Sequence, residues 1–398
     1  MHASAGIFSL MQQRHVVLFV GCLPTLLLSA CGKRAEEPPA LFSKGVYPVL
    51  LSAEDFPLNP KTGAAMQSSA DCAPCHETVY RNWQKSRHKV ALTNELYKES
   101  HAREPSPWCV NCHAPLRMTG SEKTPYRGDE GISCLACHVR GGEILTGALP
   151  SPRKAGQGDR LAHRYRIDAQ FKDERLCENC HEFNFPTAAS AMSDGQSFHY
   201  TDQPMQSTVS EYRASAYYRK VTCQGCHLFR NTADSHTFPG GHALERLKKD
   251  LRVEAVRESE GSLTLRIYAQ GIGHAFPTGD LFRTLRVILY DKAINEQQEV
   301  ELRHFFESLP AAQSHPQAPL RLRVADETLP PPKTDYLSVR EYVLPWPAQS
   351  HRVTTELYID YLSEQNTRTT HLPAKLTRPL IKKQDFPLKS KPANNTKG

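Results

Sequence analysis

The chain has 398 residues and carries 49 Lys and Arg against 42 Asp and Glu, a formal charge of +7. That length accommodates about two domains. The positive balance is mild and spread along the chain, so it does not argue for nucleic acid, and 8% aromatic residues do not suggest an unusually large apolar core. The outliers are 18 histidines and 12 cysteines.

Residues 1–30 read as a secretory signal. Arg14 and His15 precede the apolar run VVLFVGCLPTLLLSA, which Gly21 and Pro24 interrupt and which is short for a membrane span. The run ends in Leu28-Ser29-Ala30-Cys31, which resembles the lipobox of bacterial lipoproteins. Cys31 is then the lipid anchor and Cys22 leaves with the signal; the competing reading is an ordinary signal with a coincidental cysteine. Gly32 follows rather than Asp, so nothing marks inner-membrane retention, and the expectation is an exported, periplasm-facing lipoprotein of the outer membrane. Residues 31–70, opening with the charged, Pro-bearing KRAEEPPA, form a tether.

The other ten cysteines form five copies of one pentapeptide, C-x-x-C-H: Cys72–His76, Cys109–His113, Cys134–His138, Cys177–His181 and Cys223–His227. A random chain of this composition expects roughly 0.02 such matches. In this pattern two thiols add to the vinyl groups of one haem, and the adjacent histidine takes the iron from the proximal side. Zinc would pair C-x-x-C units two by two, whereas five is odd and each already has its own histidine. A redox dithiol or a set of disulfides leaves the histidines unexplained. The expected cofactors are therefore five covalent haem c groups. They are held by Cys72, Cys75, His76, Cys109, Cys112, His113, Cys134, Cys137, His138, Cys177, Cys180, His181, Cys223, Cys226 and His227. Residues 71–247 have few long hydrophobic runs, so haem faces must replace side chains as interior, and folding should depend on haem.

Eleven histidines lie outside the motifs once the signal is removed, enough to close every iron with a second imidazole. His88 follows a helical stretch from the first motif. Twelve residues of helix would carry it roughly 18 Å from His76, toward a neighbouring haem. His236 and His242 share the loop HTFPGGH, and His274 lies in GIGHAFPTGD; His163 precedes the fourth motif and His199 the fifth. The candidate distal ligands are His88, His236, His274, His163 and His199. His101 and His242 rank below them, and His304, His315, His351 and His371 read as surface or structural residues.

Short helical patterns alternate with loops between 71 and 247, and TVSEYRASAYYRKVTCQGCH reads as one amphipathic helix ending on the fifth motif. From 248 the pattern turns to alternation, in LRVEAVRE, SLTLRIYAQ, LRVILYD, EVELRHFF, LRLRVAD and TTELYIDYL, separated by turn-rich segments. The expected architecture is multidomain: a mostly α, loop-rich pentahaem domain at 71–247, then an all-β, sandwich-like domain at 248–372. Residues 373–398, rich in lysine, read as a flexible basic tail.

The stretch CAPCHETVYRNWQKSRH, followed by CVNCHAPL and DEGISCLACH, resembles the multihaem cytochromes c of the cytochrome c-554/hydroxylamine oxidoreductase-like group. The likeness runs over about 70–280 and rests on Tyr80, Trp83, Ser86 and His88. It implies a mostly helical haem domain with closely stacked haem pairs, and distal histidines drawn from remote segments, with His88, His236 and His274 foremost. Members of that group carry electrons or transform small nitrogen or sulfur species at an open haem; no motif here matches the enzymes' catalytic tyrosine cross-link. The leading expectation is thus an electron carrier working with redox partner proteins, such as other cytochromes or quinol-linked membrane complexes, and with the membrane through its lipid anchor, without nucleic acid. The alternatives are a multihaem oxidoreductase with an open haem and a haem-bearing scaffold that binds a partner through its β region. Whether the chain is an enzyme is left open, and no catalytic residue is assigned.

Overall fold

A computed structural model describes residues 49–51, 56–59, 62–118, 130–147, 165–191, 199–228, 235–309 and 317–388. The signal, Cys31, most of the tether, His163, His315 and the last ten residues lie outside them.

The first half is built from short helices: α1 (Glu77–Gln84), α2 (Glu95–Arg103), α3 (Val110–His113), α4 (Cys134–His138), α5 (Arg175–His181), α6 (Ala188–Ala191), α7 (Thr208–Arg213), α8 (Cys223–His227) and α9 (Leu244–Asp250). The later motifs sit in helices of one or two turns. Ser133 and Thr222 each accept a hydrogen bond from the backbone three residues on, at Ala136 and Gly225, and so open the helices of the third and fifth motifs. One turn suffices, because residues i, i+3 and i+4 share a helix face, which brings both sulfurs and the imidazole to the same side. The first motif instead lies in turns before α1, with His76 at the helix N-cap.

The haem region is helical, as expected, and small strands interleave: β1 (Val49–Leu51) before it, then β2 (Leu116–Met118), β3 (Val139–Arg140), β4 (Glu143–Thr146), β5 (Tyr165–Ile167), β6 (Glu182–Pro186) and β7 (Tyr200–Ser207). One expectation needs correction here: the stretch before the fifth motif is not one helix. α7 stops at Arg213, turns follow, and Arg219 adopts φ of 60°. Ser215 is buried with its hydroxyl on the Tyr212 carbonyl, which competes with helical continuation.

The second half is antiparallel sheet: β8 (Leu251–Ser259), β9 (Ser262–Gln270), β10 (Thr284–Asp291), β11 (Glu296–Leu302), β12 (His304–Ser308), β13 (Arg321–Asp326), β14 (Leu337–Pro345), β15 (Arg352–Asp360) and β16 (Leu380–Pro387). One sheet has the order β11-β10-β15-β16, a second β14-β9-β8, and β12 and β13 form a hairpin. Alternate residues of both sheets, among them Val253, Leu265, Ile267, Leu285, Val287, Leu357 and Ile359, enter one buried cluster with Trp346. The segment EVELRHFF divides at Arg303 into β11 and β12, and β14 escaped the alternation signal because its Val339 and Val343 face solvent.

The flexible tail expected from 373 is corrected as far as Leu388. After α10 (Glu364–Thr369) and α11 (Ala374–Thr377), β16 completes the four-stranded sheet beside β15. Ile381 is buried in the core and the Lys382 ammonium donates to the Leu251 carbonyl. Lysines on an edge strand discourage further strand pairing, which explains a tail-like composition in a folded element.

Helix gives way to sheet between Asp250 and Leu251, yet residues 38–398 form one compact unit rather than two independent ones. Leu96 of α2 belongs to the β core, and the backbone amides of Ala188 and Ala216 bond to the carbonyls of Ala318 and Pro332 at 2.9 and 2.7 Å.

Candidate haem-binding site

The ring positions of six histidines carry the geometry. His88 and His181 have ring centroids 6.5 Å apart, His138 and His236 6.3 Å, and His227 and His274 6.4 Å. Two metal–nitrogen bonds of about 2.0 Å and two half-rings of about 1.15 Å add up to roughly 6.3 Å, the gap between imidazoles on opposite sides of one iron. Each pair joins a motif histidine to one from outside the motifs.

In four histidines the other ring nitrogen is engaged. Nδ1 lies 2.9 Å from the Ala91 carbonyl in His113, 2.8 Å from Leu145 in His138, 2.7 Å from Pro239 in His227 and 2.7 Å from Ala275 in His274. An Nδ1–H donated to a carbonyl leaves the Nε2 lone pair for a metal and raises its basicity. Burial, the largest cause, then the charges of neighbouring rings, pulls His88 down to about 3 and His181 and His236 to about 4. Burial likewise takes His274 to about 4 against its bond to Ala275. The rings are therefore neutral, the ligand form.

Local packing explains how His88 arrives. α1 ends at Gln84, earlier than the helical reading supposed; the buried Ser86 hydroxyl donates to the Trp83 carbonyl at 2.7 Å and receives the Lys89 amide at 3.2 Å. The Trp83 indole donates to the Ile132 carbonyl and the Ile132 amide to the His88 carbonyl, both at 2.9 Å. Gly131, at φ +57°, lies against that same carbonyl. The segment before the third motif thus braces the histidine that faces the fourth. His88 also packs on Phe238, with ring centroids 4.2 Å apart. Phe238 and His236 both hold positive φ, 47° and 68°, a left-handed backbone that non-glycine residues adopt at a cost of about 1–3 kcal/mol each.

The cysteines give an order in space. The side chains of Cys72 and Cys134 are hydrogen-bonded to each other, as are those of Cys112 and Cys180, and of Cys177 and Cys223. Cys137 lies within electrostatic range of Cys180. The first motif therefore adjoins the third, the third adjoins the fourth, and the fourth adjoins both the second and the fifth.

The remaining candidates fall out differently. His199 is exposed; its backbone amide donates to the Ser190 hydroxyl and its carbonyl accepts from the Thr187 amide, both at 2.8 Å, and among the described residues its ring faces no motif histidine. His113 has no imidazole opposite it at that spacing among the described residues. Beside His113 stands Tyr97, with centroids 4.4 Å apart, and Tyr97 stacks on His101. His242, ranked low by sequence, stacks on Tyr361 at 3.9 Å, and burial with the charges of Arg283 and Arg87 takes its pKa down to about 2. Its only sequence signal was the shared loop HTFPGGH; Arg87, Arg283 and Tyr361 had none.

Two thiols and one imidazole per helical turn, with a second neutral imidazole at iron-spanning distance, fit haem c. Residues 71–139 match the family described as Cytochrome c554 and c-prime. That match and the five C-x-x-C-H motifs support a multihaem cytochrome c of this group. Among solved structures, the chain is similar to a penta-haem cytochrome c552 from Thermochromatium tepidum, with TM-score 0.59 and 21% identity over 81% of this chain and 99% of that one. That likeness speaks to the fold. No curated protein sequence matches the chain. Family and fold together point to electron transfer through haem.

Proposed function

We propose that the chain is a membrane-anchored, periplasm-facing cytochrome that passes electrons along five covalent haem c groups between redox partner proteins. The observation that carries this reading is the set of three imidazole pairs 6.3–6.5 Å apart. A haem held by two imidazoles cycles between ferric and ferrous iron without an open coordination site. The protein's own part is to fix spacing, exclude water and keep each Nε2 unprotonated. His88 would serve the fourth motif, His236 the third and His274 the fifth. His163 is kept as a proposed distal ligand. The cysteine contacts support a branched route: first, third, fourth, then second or fifth. The two sheets sharing one core are read as the layers of a β-sandwich, and Cys31 as the outer-membrane lipid anchor.

One observation favours a second reading for the motif at Cys109–His113. Arg87 and Asp280 lie within electrostatic range of His113, Arg283, His242 and Tyr361 gather around Arg87, and the Arg283 Nε is buried without a hydrogen-bond partner among the described residues. A cationic pocket beside an iron with no second imidazole among the described residues would suit a small nitrogen or sulfur oxyanion.

Electron paramagnetic resonance and absorption spectra of the holoprotein, with and without cyanide or nitric oxide, separate the two. Low-spin, ligand-inert haems support the carrier. A high-spin component that binds ligand and disappears in His113→Ala supports the open site.

A further inference from the structure

Away from the motifs, one group of ionisable side chains is buried where the haem region meets the β region. Glu211 of α7 is 9% exposed. Its Oε2 accepts from the Thr278 hydroxyl at 2.6 Å, and Thr278 also bonds to Thr208 at 2.8 Å. Its Oε1 lies 3.4 Å from His304 Nε2 and makes no hydrogen bond among the described residues. On the far side of the ring, His304 Nδ1 lies 3.9 Å from Asp326, whose side chain is 50% exposed. Carboxylate, imidazole and carboxylate therefore form a line from solvent to the interior. An imidazole can take a proton on one nitrogen and release one from the other, which makes His304 a shuttle and Asp326 its entrance.

The line is tied to two motifs. Glu182, next to His181, accepts the amides of Val209 and Ser210 at 3.0 and 2.9 Å and so fixes the start of the helix that carries Glu211. Thr278 stands four residues after His274, in the same loop. Glu211 is thus held from the fourth motif at one end and from the candidate ligand of the fifth at the other. The charged groups facing it are Glu182 from β6, His304 from β12, and Arg323 and Asp326 from β13. Arg323 donates to Ser207 at 3.0 Å, and its Nε makes no hydrogen bond among the described residues. Three carboxylates, Glu182, Asp326 and Glu211, against the one guanidinium of Arg323 leave room for a proton.

We propose that Asp326, His304 and Glu211 form a proton relay that loads Glu211 when the haems of the fourth and fifth motifs are reduced. This rests on the haem reading above. The electron comes from a redox partner and the proton from solvent. Ferric iron becomes ferrous, an O–H bond forms at Glu211 Oε1, and the local charge is unchanged; oxidation releases the proton. At an effective dielectric of about 20, a unit charge about 10 Å away changes a proton affinity on the order of tenfold. Burial, opposed by the Thr278 hydrogen bond, lifts the Glu211 carboxyl to about 7, so the site titrates where the effect is useful.

The test is a spectroelectrochemical titration of the holoprotein between about pH 5 and 9, native against Glu211→Gln. The amide keeps the acceptor for Thr278. The native protein should show a component whose potential falls as pH rises, up to about 59 mV per tenfold change in proton concentration for one proton per electron. In the variant that slope should be absent while the number of low-spin haems is unchanged. Should the variant fail to mature, redox-difference infrared spectra of the native protein give the same answer: reduction should bring up a protonated carboxyl band that shifts in D2O. A slope that persists in Glu211→Gln, or a native protein with neither slope nor band, overturns the relay while leaving the haems intact. A haem assay that finds no haem c overturns the functional reading itself.

Discussion

Replacing Gly131 by alanine tests how the fourth motif acquires its second imidazole. A Cβ at position 131 would lie 2.5 Å from the His88 carbonyl oxygen, 2.8 Å from that of Lys89 and 3.0 Å from the Ala91 amide, all backbone atoms. Ordinary contact begins near 3.4 Å, so the His88 backbone must retreat by 0.9 Å. The left-handed φ of +57° adds strain for any residue with a Cβ. Strain of about 1–3 kcal/mol and overpacking of about 1–3 kcal/mol together cost roughly 2–6 kcal/mol. Ligation at the His88–His181 pair tolerates no such displacement, since the 6.5 Å gap is already that of two bonded rings. The expected result is holoprotein with one low-spin haem converted to a high-spin, cyanide-binding one and a lowered unfolding midpoint. Spin counting by electron paramagnetic resonance and a guanidinium melt read the two effects. A variant with native spin states and native stability would refute the bracing argument.

His274→Ala should likewise open one haem to cyanide, whereas His199→Ala should leave the spectrum unchanged, because His199 is exposed and faces no motif. Arg286 is buried against Asp360 at 2.9 Å and Glu301 at 2.6 Å, with Glu299 also paired to it. Arg286→Ala strands those carboxylates and should cost about 3–5 kcal/mol in a denaturant melt without altering the haem spectrum. Glu211 affects the pH dependence of stability. Its folded pKa is raised from 4.5 to about 7, so its contribution is full below pH 4.5 and is lost as pH rises through 7. Melts across that range should lose this downward trend in Glu211→Gln.

The motif pentapeptides were legible because their chemistry demands a fixed spacing, and β8, β9, β10 and β15 because one buried face imposes alternation. The histidine partners were only half legible. His88 was assigned away from the first motif on the length of a helix that in fact stops at Gln84; the side chain still faces another motif, through Gly131 and Ile132. His199 looked equivalent by position, but what decides is burial, which sequence does not carry. β14 and β16 were hidden because edge strands display valines and lysines outward, and Arg87, Arg283, His242 and Tyr361 converge only after the chain has folded over itself.

The three imidazole pairs have staggered spans, 88 to 181, 138 to 236 and 227 to 274. Each overlaps the next, like stitches in a seam. With iron in all three, every peptide bond between residues 88 and 274 is bypassed by at least one coordination bridge. A nick anywhere in that interval leaves two fragments still clasped through metal, separable only by agents that displace imidazole.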